Sequence, residues 1–128
     1  MKLASVIILL FTTQNVLCQV VYTSPITEYF PHYNVEYINR TISINAETII
    51  VESETPIKTI KKQIFYIREY MQEELPQQGL SDVFVCSTKD GLYNTYFLIP
   101  VMDKVEYIEV AQPRQLNLEP KGYRFLLD

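Results

Sequence analysis

Apolar and polar residues alternate along much of this chain, which is the pattern of β-strands with one buried face. The alternation is clearest in NVEYINRTISI, residues 34–44. Its isoleucines share one predicted face, and the opposite face carries Asn39 and Thr41. Arg40 falls on the isoleucine side, so we expect it to need an edge position, a bulge or a carboxylate partner.

Similar runs predict further strands along the rest of the chain. They are ETIIVES (47–53), DVFVCST (82–88), LYNTYFLIPV (92–101), KVEYIEV (104–110) and YRFLLD (123–128). KDG (89–91) predicts a turn, because Gly91 can adopt a positive φ, and QPRQLNLEPKG (112–122) predicts a loop. With a strand in the ambiguous segment 57–75, the count is about seven short strands. We therefore predict a mainly β fold, an antiparallel β-sandwich with at most one short helix.

The segment 57–75 carries two conflicting patterns. Its isoleucines, Met71 and Leu75 recur at steps of three and four residues, which is helical spacing. Thr55 and Pro56 would suit the start of a helix. IFYI (64–67), in contrast, is a compact run of the β type.

The first 18 residues have the layout of a secretory signal peptide, with Lys2 before an apolar run and a small-residue end at Cys18. We predict cleavage before Gln19. The apolar run is shorter than the roughly 20 residues of a membrane-spanning helix, so no transmembrane segment is expected in the mature chain. The predicted organisation is a signal peptide at 1–18, an extended N-terminal lead-in at 19–33 and a single domain at 34–128.

The composition of the chain limits the kinds of functional site that it can form. The net charge of −4 makes the chain a poor candidate for nucleic acid. The single histidine, His32, lies in the proline-flanked lead-in, and Cys86 is the one cysteine left after signal cleavage. One histidine and one cysteine do not supply a zinc site, and three isolated glycines form no phosphate loop. We predict no catalytic, metal or cofactor-binding residues and expect Cys86 to be buried.

Asn39, Arg40 and Thr41 form an N-glycosylation acceptor sequence. The motif is common, but the predicted signal peptide and the outward direction of Asn39 favour its use. We predict glycosylation at Asn39.

The order of several short motifs resembles the luminal N-terminal region of ribophorin I, a subunit of the oligosaccharyltransferase complex. The similar segments are NVEYINRTISI, NAETIIVES, QIFYIREYMQEELPQQGLSDVFV, KDGLYNTYFLIPV and, more loosely, PRQLNLEPKGYRFLLD. The resemblance spans about residues 34–128. It implies that 57–75 is a strand through about Arg68 followed by a short helical turn at 69–75. That family also has a second luminal region and a transmembrane helix, neither of which we expect in this chain.

Two functions follow as expectations. The resemblance implies a non-catalytic accessory protein of the endoplasmic-reticulum lumen that supports protein N-glycosylation. Its partners would be other oligosaccharyltransferase subunits or a protein of the secretory pathway. The alternative is a small secreted β-sandwich interaction protein without enzymatic activity, which fits the absence of a retrieval signal in the final FLLD. A hydrolase that uses two carboxylates is a third possibility, but no particular pair stands out.

Overall fold

The computed structural model describes residues 19–112 and 121–128, so the predicted signal peptide and most of the predicted 112–122 loop lie outside it. The described residues form ten strands. They are β1 (Val20–Ser24), β2 (Ile26–Phe30), β3 (Asn34–Glu36), β4 (Arg40–Ile44), β5 (Thr48–Glu54), β6 (Ile60–Leu75), β7 (Gly79–Ser87), β8 (Asn94–Pro100), β9 (Tyr107–Gln112) and β10 (Lys121–Leu126).

All ten strands belong to one antiparallel sheet, in the order β1-β4-β5-β6-β7-β8-β9-β10-β2-β3. The sheet is curled into a half-barrel. The prediction of a mainly β, antiparallel fold is confirmed. The finer prediction differs in two ways: there are ten strands rather than about seven, and one curled sheet rather than two. The described residues contain no helix, which agrees with the predicted limit of one short helix.

The predicted lead-in contributes two strands to this sheet. β1 pairs with β4, whereas β2 pairs with β10 near the opposite end of the strand order. Pro25 lies between them, where the chain bends and a missing N–H interrupts the ladder. Because β1 and β2 are consecutive in the chain, their connection draws the two ends of the sheet together. The Asp128 N–H adds to this closure by donating to the Thr23 carbonyl, at 3.2 Å.

The inner face of the curl carries the hydrophobic core. The buried apolar side chains are Ile42, Ile44, Ile49, Val51, Phe65, Cys86, Phe97, Ile99, Ile108, Val110 and Phe125. The rings of Phe65 and Phe97 meet edge to face with their centroids 5.0 Å apart. Side chains of the alternate positions lie on the opposite face of the sheet, which we call the outer face.

The helical turn predicted at 69–75 is wrong. These residues continue β6 and pair with β7 as far as Leu75 opposite Gly79. The ladder shifts between Ile67 and Glu69, so Arg68 is the extra residue of a β-bulge. Pairing with β7 satisfies the backbone of this segment, and the bulge moves its apolar residues between the two faces of the sheet.

The turn between β6 and β7 contains Pro76, Gln77 and Gln78, and Gly79 follows with φ of 76°. A left-handed φ strains residues that carry a Cβ, which explains the glycine. This hairpin tip borders outer-face residues of more distant strands, including Leu98 and Arg124. A groove lies between the tip and the sheet.

Candidate functional site

Arg40 has the carboxylate partner that its position requires. Its side chain is 12% exposed, and Nη2 lies 2.8 Å from Glu36 Oε1. Nε donates to Ser53 Oγ at 2.9 Å, and Nη1 donates to the buried Thr27 Oγ1. Its Cζ lies 5.8 Å from the ring centroid of Phe125. The guanidinium thus joins β4 to β2 and β3 across the inside of the curl.

The same cluster shifts two pKa values. Tyr29 Oη donates to Glu36 Oε1 at 2.7 Å. This hydrogen bond, followed by the one from Arg40, lowers the pKa of Glu36 below its ordinary value of 4.5. Partial burial, with the Glu36 contact, raises the pKa of Tyr29. The cluster is a structural clasp, because its polar groups satisfy one another.

Asn39, the predicted glycosylation site, is exposed just before β4. Its Nδ2 donates to Glu54 Oε1 at 3.3 Å, and its carbonyl accepts from the Glu54 N–H at 3.0 Å. Asn39 and Thr41 border a shallow depression of about 360 Å³ on the outer face, together with Glu52, Glu54 and Ile60. The folded domain therefore leaves space for a glycan at this position.

A larger feature on the outer face has no counterpart in the predicted sites. We call it the Arg124 groove. It consists of two adjoining depressions of about 500 and 450 Å³ that share Gln77, Glu109 and Arg124 as lining residues. The first runs past Phe30 and Tyr33, and the second runs beneath the hairpin tip.

The floor of the first depression is made by residues with little or no side chain. Gly122 pairs with Ala111 on one side and with Phe30 on the other. A Cβ on Gly122 would lie 2.9 Å from the Val110 carbonyl oxygen, so a larger residue cannot be placed there without a shift of the backbone. The groove therefore reaches the sheet backbone at this point.

Arg124 forms the charged wall. Its Cζ lies 4.5 Å from the ring centroid of Tyr107 and 5.3 Å from that of Phe30, so aromatic rings hold the guanidinium in place. Nη2 lies 3.1 Å from Glu109 Oε1, and Glu28 stands opposite Arg124 on β2. Two carboxylates against one guanidinium leave this wall with an excess of negative charge.

Tyr33 forms the aromatic wall of the groove, and its backbone has an unfavourable conformation. Its φ of 57° is left-handed, which is unfavourable by about 1–2 kcal/mol for a residue other than glycine. Its side chain is 72% exposed, so burial of the ring does not offset that strain. The ring instead packs edge to face on Phe30, with centroids 5.2 Å apart, at the rim of the groove.

Polar groups from the hairpin tip and from β10 lie beside the second depression. The side-chain amide of Gln78 and Nε of Arg124 are buried and have no hydrogen-bond partner among the described residues. A buried polar group without a partner is unfavourable by about 1–3 kcal/mol. Both residues line the second depression.

The other residues that the sequence analysis considered lie outside the Arg124 groove. Cys86 is fully buried on the inner face, as predicted, and burial raises the pKa of its thiol to about 12. His32 is exposed in the turn after β2. Among residues 19–112 and 121–128, no three His, Cys, Asp or Glu side chains come close enough to hold a metal ion. The same ranges contain no helix with the length and apolarity to cross a bilayer.

Sequence reasoning missed the Arg124 groove because its walls come from distant parts of the chain. Phe30 and Arg124 are brought together by the pairing of β2 with β10, which neither segment specifies alone. Compared with protein-family models, curated proteins and solved structures, the chain has no match.

Proposed function

We propose that this protein is a non-catalytic polypeptide-binding domain of the secretory pathway. The observation that carries the proposal is the Arg124 groove, an open channel of two adjoining depressions on the outer face. Two depressions in series suit an extended chain that places one side chain in each. The strained Tyr33 and the unpaired amide of Gln78 support a binding role, since neither contributes to the stability of the free domain.

The groove also favours a particular kind of segment. Its backbone floor and aromatic wall suit an apolar or aromatic side chain. The carboxylates of Glu28 and Glu109 outnumber the guanidinium of Arg124, which favours a neighbouring basic residue over an acidic one. Peptide groups of a bound chain can pair with Gln78 after a small outward movement of the hairpin tip.

The resemblance to ribophorin I suggests where such binding would be used. We propose that the domain acts in the endoplasmic-reticulum lumen as an accessory of the oligosaccharyltransferase complex, holding nascent chains near their glycosylation machinery. A secreted interaction protein would use the same groove on a different partner. The sequence predicted a β-sandwich of two layers. We propose that the tip of the β6–β7 hairpin forms a second layer over the groove, and we retain no other part of that prediction.

A binding titration with a defined peptide tests the polypeptide-binding role. The probe is a fluorescein-labelled peptide with an Asn-Ala-Thr acceptor flanked by tyrosine and arginine, and the readout is fluorescence anisotropy. We expect saturable binding that Ala111→Leu, which fills the groove floor, weakens about tenfold, or ~1.4 kcal/mol. A peptide with glutamate in place of arginine should also bind less tightly.

Val21→Phe is the matched control, because Val21 is exposed on the outer face of β1, away from the groove. It should bind the peptide as the original chain does. Equal affinity of the Ala111→Leu variant and the original chain, or no saturable binding at all, would contradict the proposal.

The accessory role is tested by a separate experiment. The tagged protein is isolated from its native cells under mild detergent, and oligosaccharyltransferase subunits are quantified by mass spectrometry. We expect them to be enriched with the original chain. Recovery of the protein from the medium without any of these subunits would reject the accessory role and leave the peptide titration as the test of binding.

A further inference from the structure

The depression beside Asn39 has a chemistry that suits a sugar. Its lining combines the apolar side chain of Ile60 with the carboxylates of Glu52 and Glu54 and the hydroxyl of Thr41. Ile60 is 62% exposed although it lies within a strand. A pyranose ring offers an apolar face to such a side chain, and its hydroxyls donate hydrogen bonds to carboxylates.

The register of three strands assembles this lining. Thr41 on β4 stands opposite Glu52 on β5, and Glu54 on β5 stands opposite Ile60 on β6. All of these side chains point to the outer face because they alternate with core residues such as Ile42 and Val51. The acceptor Asn39 lies at the rim of the same depression.

From this arrangement, we infer that the first sugar of an N-linked glycan on Asn39 packs into the depression and covers Ile60. The contact between Asn39 and Glu54 sets the direction in which the attached sugar extends. Nδ2 has two hydrogens, and glycosylation replaces only one of them. The remaining N–H can keep its hydrogen bond to Glu54 Oε1, now 3.3 Å away, which directs the sugar across the depression toward Ile60.

The glycan would then act as part of the outer face. It shields an exposed isoleucine, and its first residue links β4 to β6 through contacts that the bare chain does not make. This inference rests on the proposed passage through the secretory pathway, and it is independent of the Arg124 groove.

The test compares the chain made in a glycosylating eukaryotic host with the same chain made in bacteria, which leave Asn39 unmodified. Intact mass establishes occupancy, and Thr41→Ala is the control that removes the acceptor sequence. In the glycosylated protein, we expect nuclear Overhauser effects between protons of the first sugar and the Ile60 methyl groups. We also expect the glycan to raise Tm by about 3 °C.

Ile60→Ser should abolish that rise, whereas Ile57→Ser should leave it intact. Ile57 is the matched control because it is 78% exposed near the turn of the same hairpin and does not line the depression. Both substitutions affect exposed side chains, so both variants are expected to fold. An unmodified Asn39 in the secreted product would overturn the inference, as would an equal glycan effect in both variants. Neither result would bear on peptide binding in the groove.

Discussion

At the scale of single residues, Arg40 is the clearest case of a side chain that holds distant strands together. It lies mostly within the core and binds Glu36, Thr27 and Ser53, while its guanidinium lies near the ring of Phe125. An isolated buried charge would be strongly unfavourable, but each contact here comes from a different strand. Its polar contacts therefore depend on the curled arrangement, and the curled arrangement in turn depends on them.

Removal of the guanidinium should destabilise the fold strongly. We expect Arg40→Met to lower the free energy of unfolding by about 2–4 kcal/mol, because Thr27 and Glu36 lose a partner while partly or fully buried. Urea denaturation followed by circular dichroism measures the loss. Lys62→Met, an exposed cation on β6, is the control and should change stability little. A loss as small as that of the control would show that the clasp is dispensable.

Glu36 should make the protein sensitive to acid. Its folded pKa is lowered by Tyr29 and Arg40, so its contribution to stability is present above the ordinary value of 4.5 and is lost as the pH falls through the lowered folded pKa. The side chain is 40% exposed, so solvent screening reduces the size of this contribution. Denaturation midpoints measured from pH 6 down to about 3 should therefore fall less steeply in Glu36→Gln than in the original chain. Parallel curves for the two proteins would exclude this role.

The thiol of Cys86 should be unreactive in the folded protein. It should also lower the stability of the fold at alkaline pH. Burial raises its folded pKa from 9.0 to about 12, so stability is lost as the pH rises through this window, where only the unfolded thiol ionises readily. Labelling with a thiol reagent at pH 8 should follow the rate of unfolding, and Cys86→Ala should remove the thiol's part of the alkaline loss. Rapid labelling of the native protein would contradict the burial of this thiol.

At the scale of elements, β6 explains why a segment with helical spacing forms a strand. Ile57 and Ile60, which suggested an apolar helix face, are among the most exposed apolar residues of the described chain. Beyond them, the bulge at Arg68 reverses which face each residue occupies. A simple count of periodicity cannot detect such a reversal, because it depends on pairing with β7.

The bulge also fixes a neighbouring turn. Arg68 Nε donates to Ser87 Oγ at 2.7 Å, and Nη2 donates to the carbonyls of Thr88 and Lys89 at 3.1 and 3.3 Å. We expect Arg68→Ala to speed hydrogen exchange at the Gly91 amide, which bonds to Thr88, and to lower stability by about 1 kcal/mol. Lys61→Ala is the control on the same strand. Unchanged exchange at Gly91 would show that the turn holds without Arg68.

The elements differ in how far the sequence predicts them. The alternation in β4 placed Ile42 and Ile44 in the core correctly, because one face of that strand is buried. The strands β1 and β2 were predicted only as an extended lead-in, because their partners β4 and β10 lie far along the chain. The Arg124 groove depends on the same long-range pairing, so no local pattern could indicate it.

At the scale of the whole molecule, the core and the proposed binding sites lie on opposite faces of the curled sheet. The inner face holds the core and the Arg40 clasp, which maintain the curl. The outer face carries the Arg124 groove and the depression beside Asn39, each lined by side chains from several strands. A glycan at Asn39 and a polypeptide in the groove would therefore use separate parts of one face.

The central claim is that the Arg124 groove binds an extended polypeptide. Its most direct test is an amide-resolved NMR titration of the isotope-labelled protein with the tyrosine- and arginine-containing peptide. We expect shifts concentrated at Phe30, Ala111, Gly122 and Arg124, with little change along the turn of the β5–β6 hairpin. The claim is contradicted if saturating peptide leaves these four amides unchanged, or if the shifts centre on another surface.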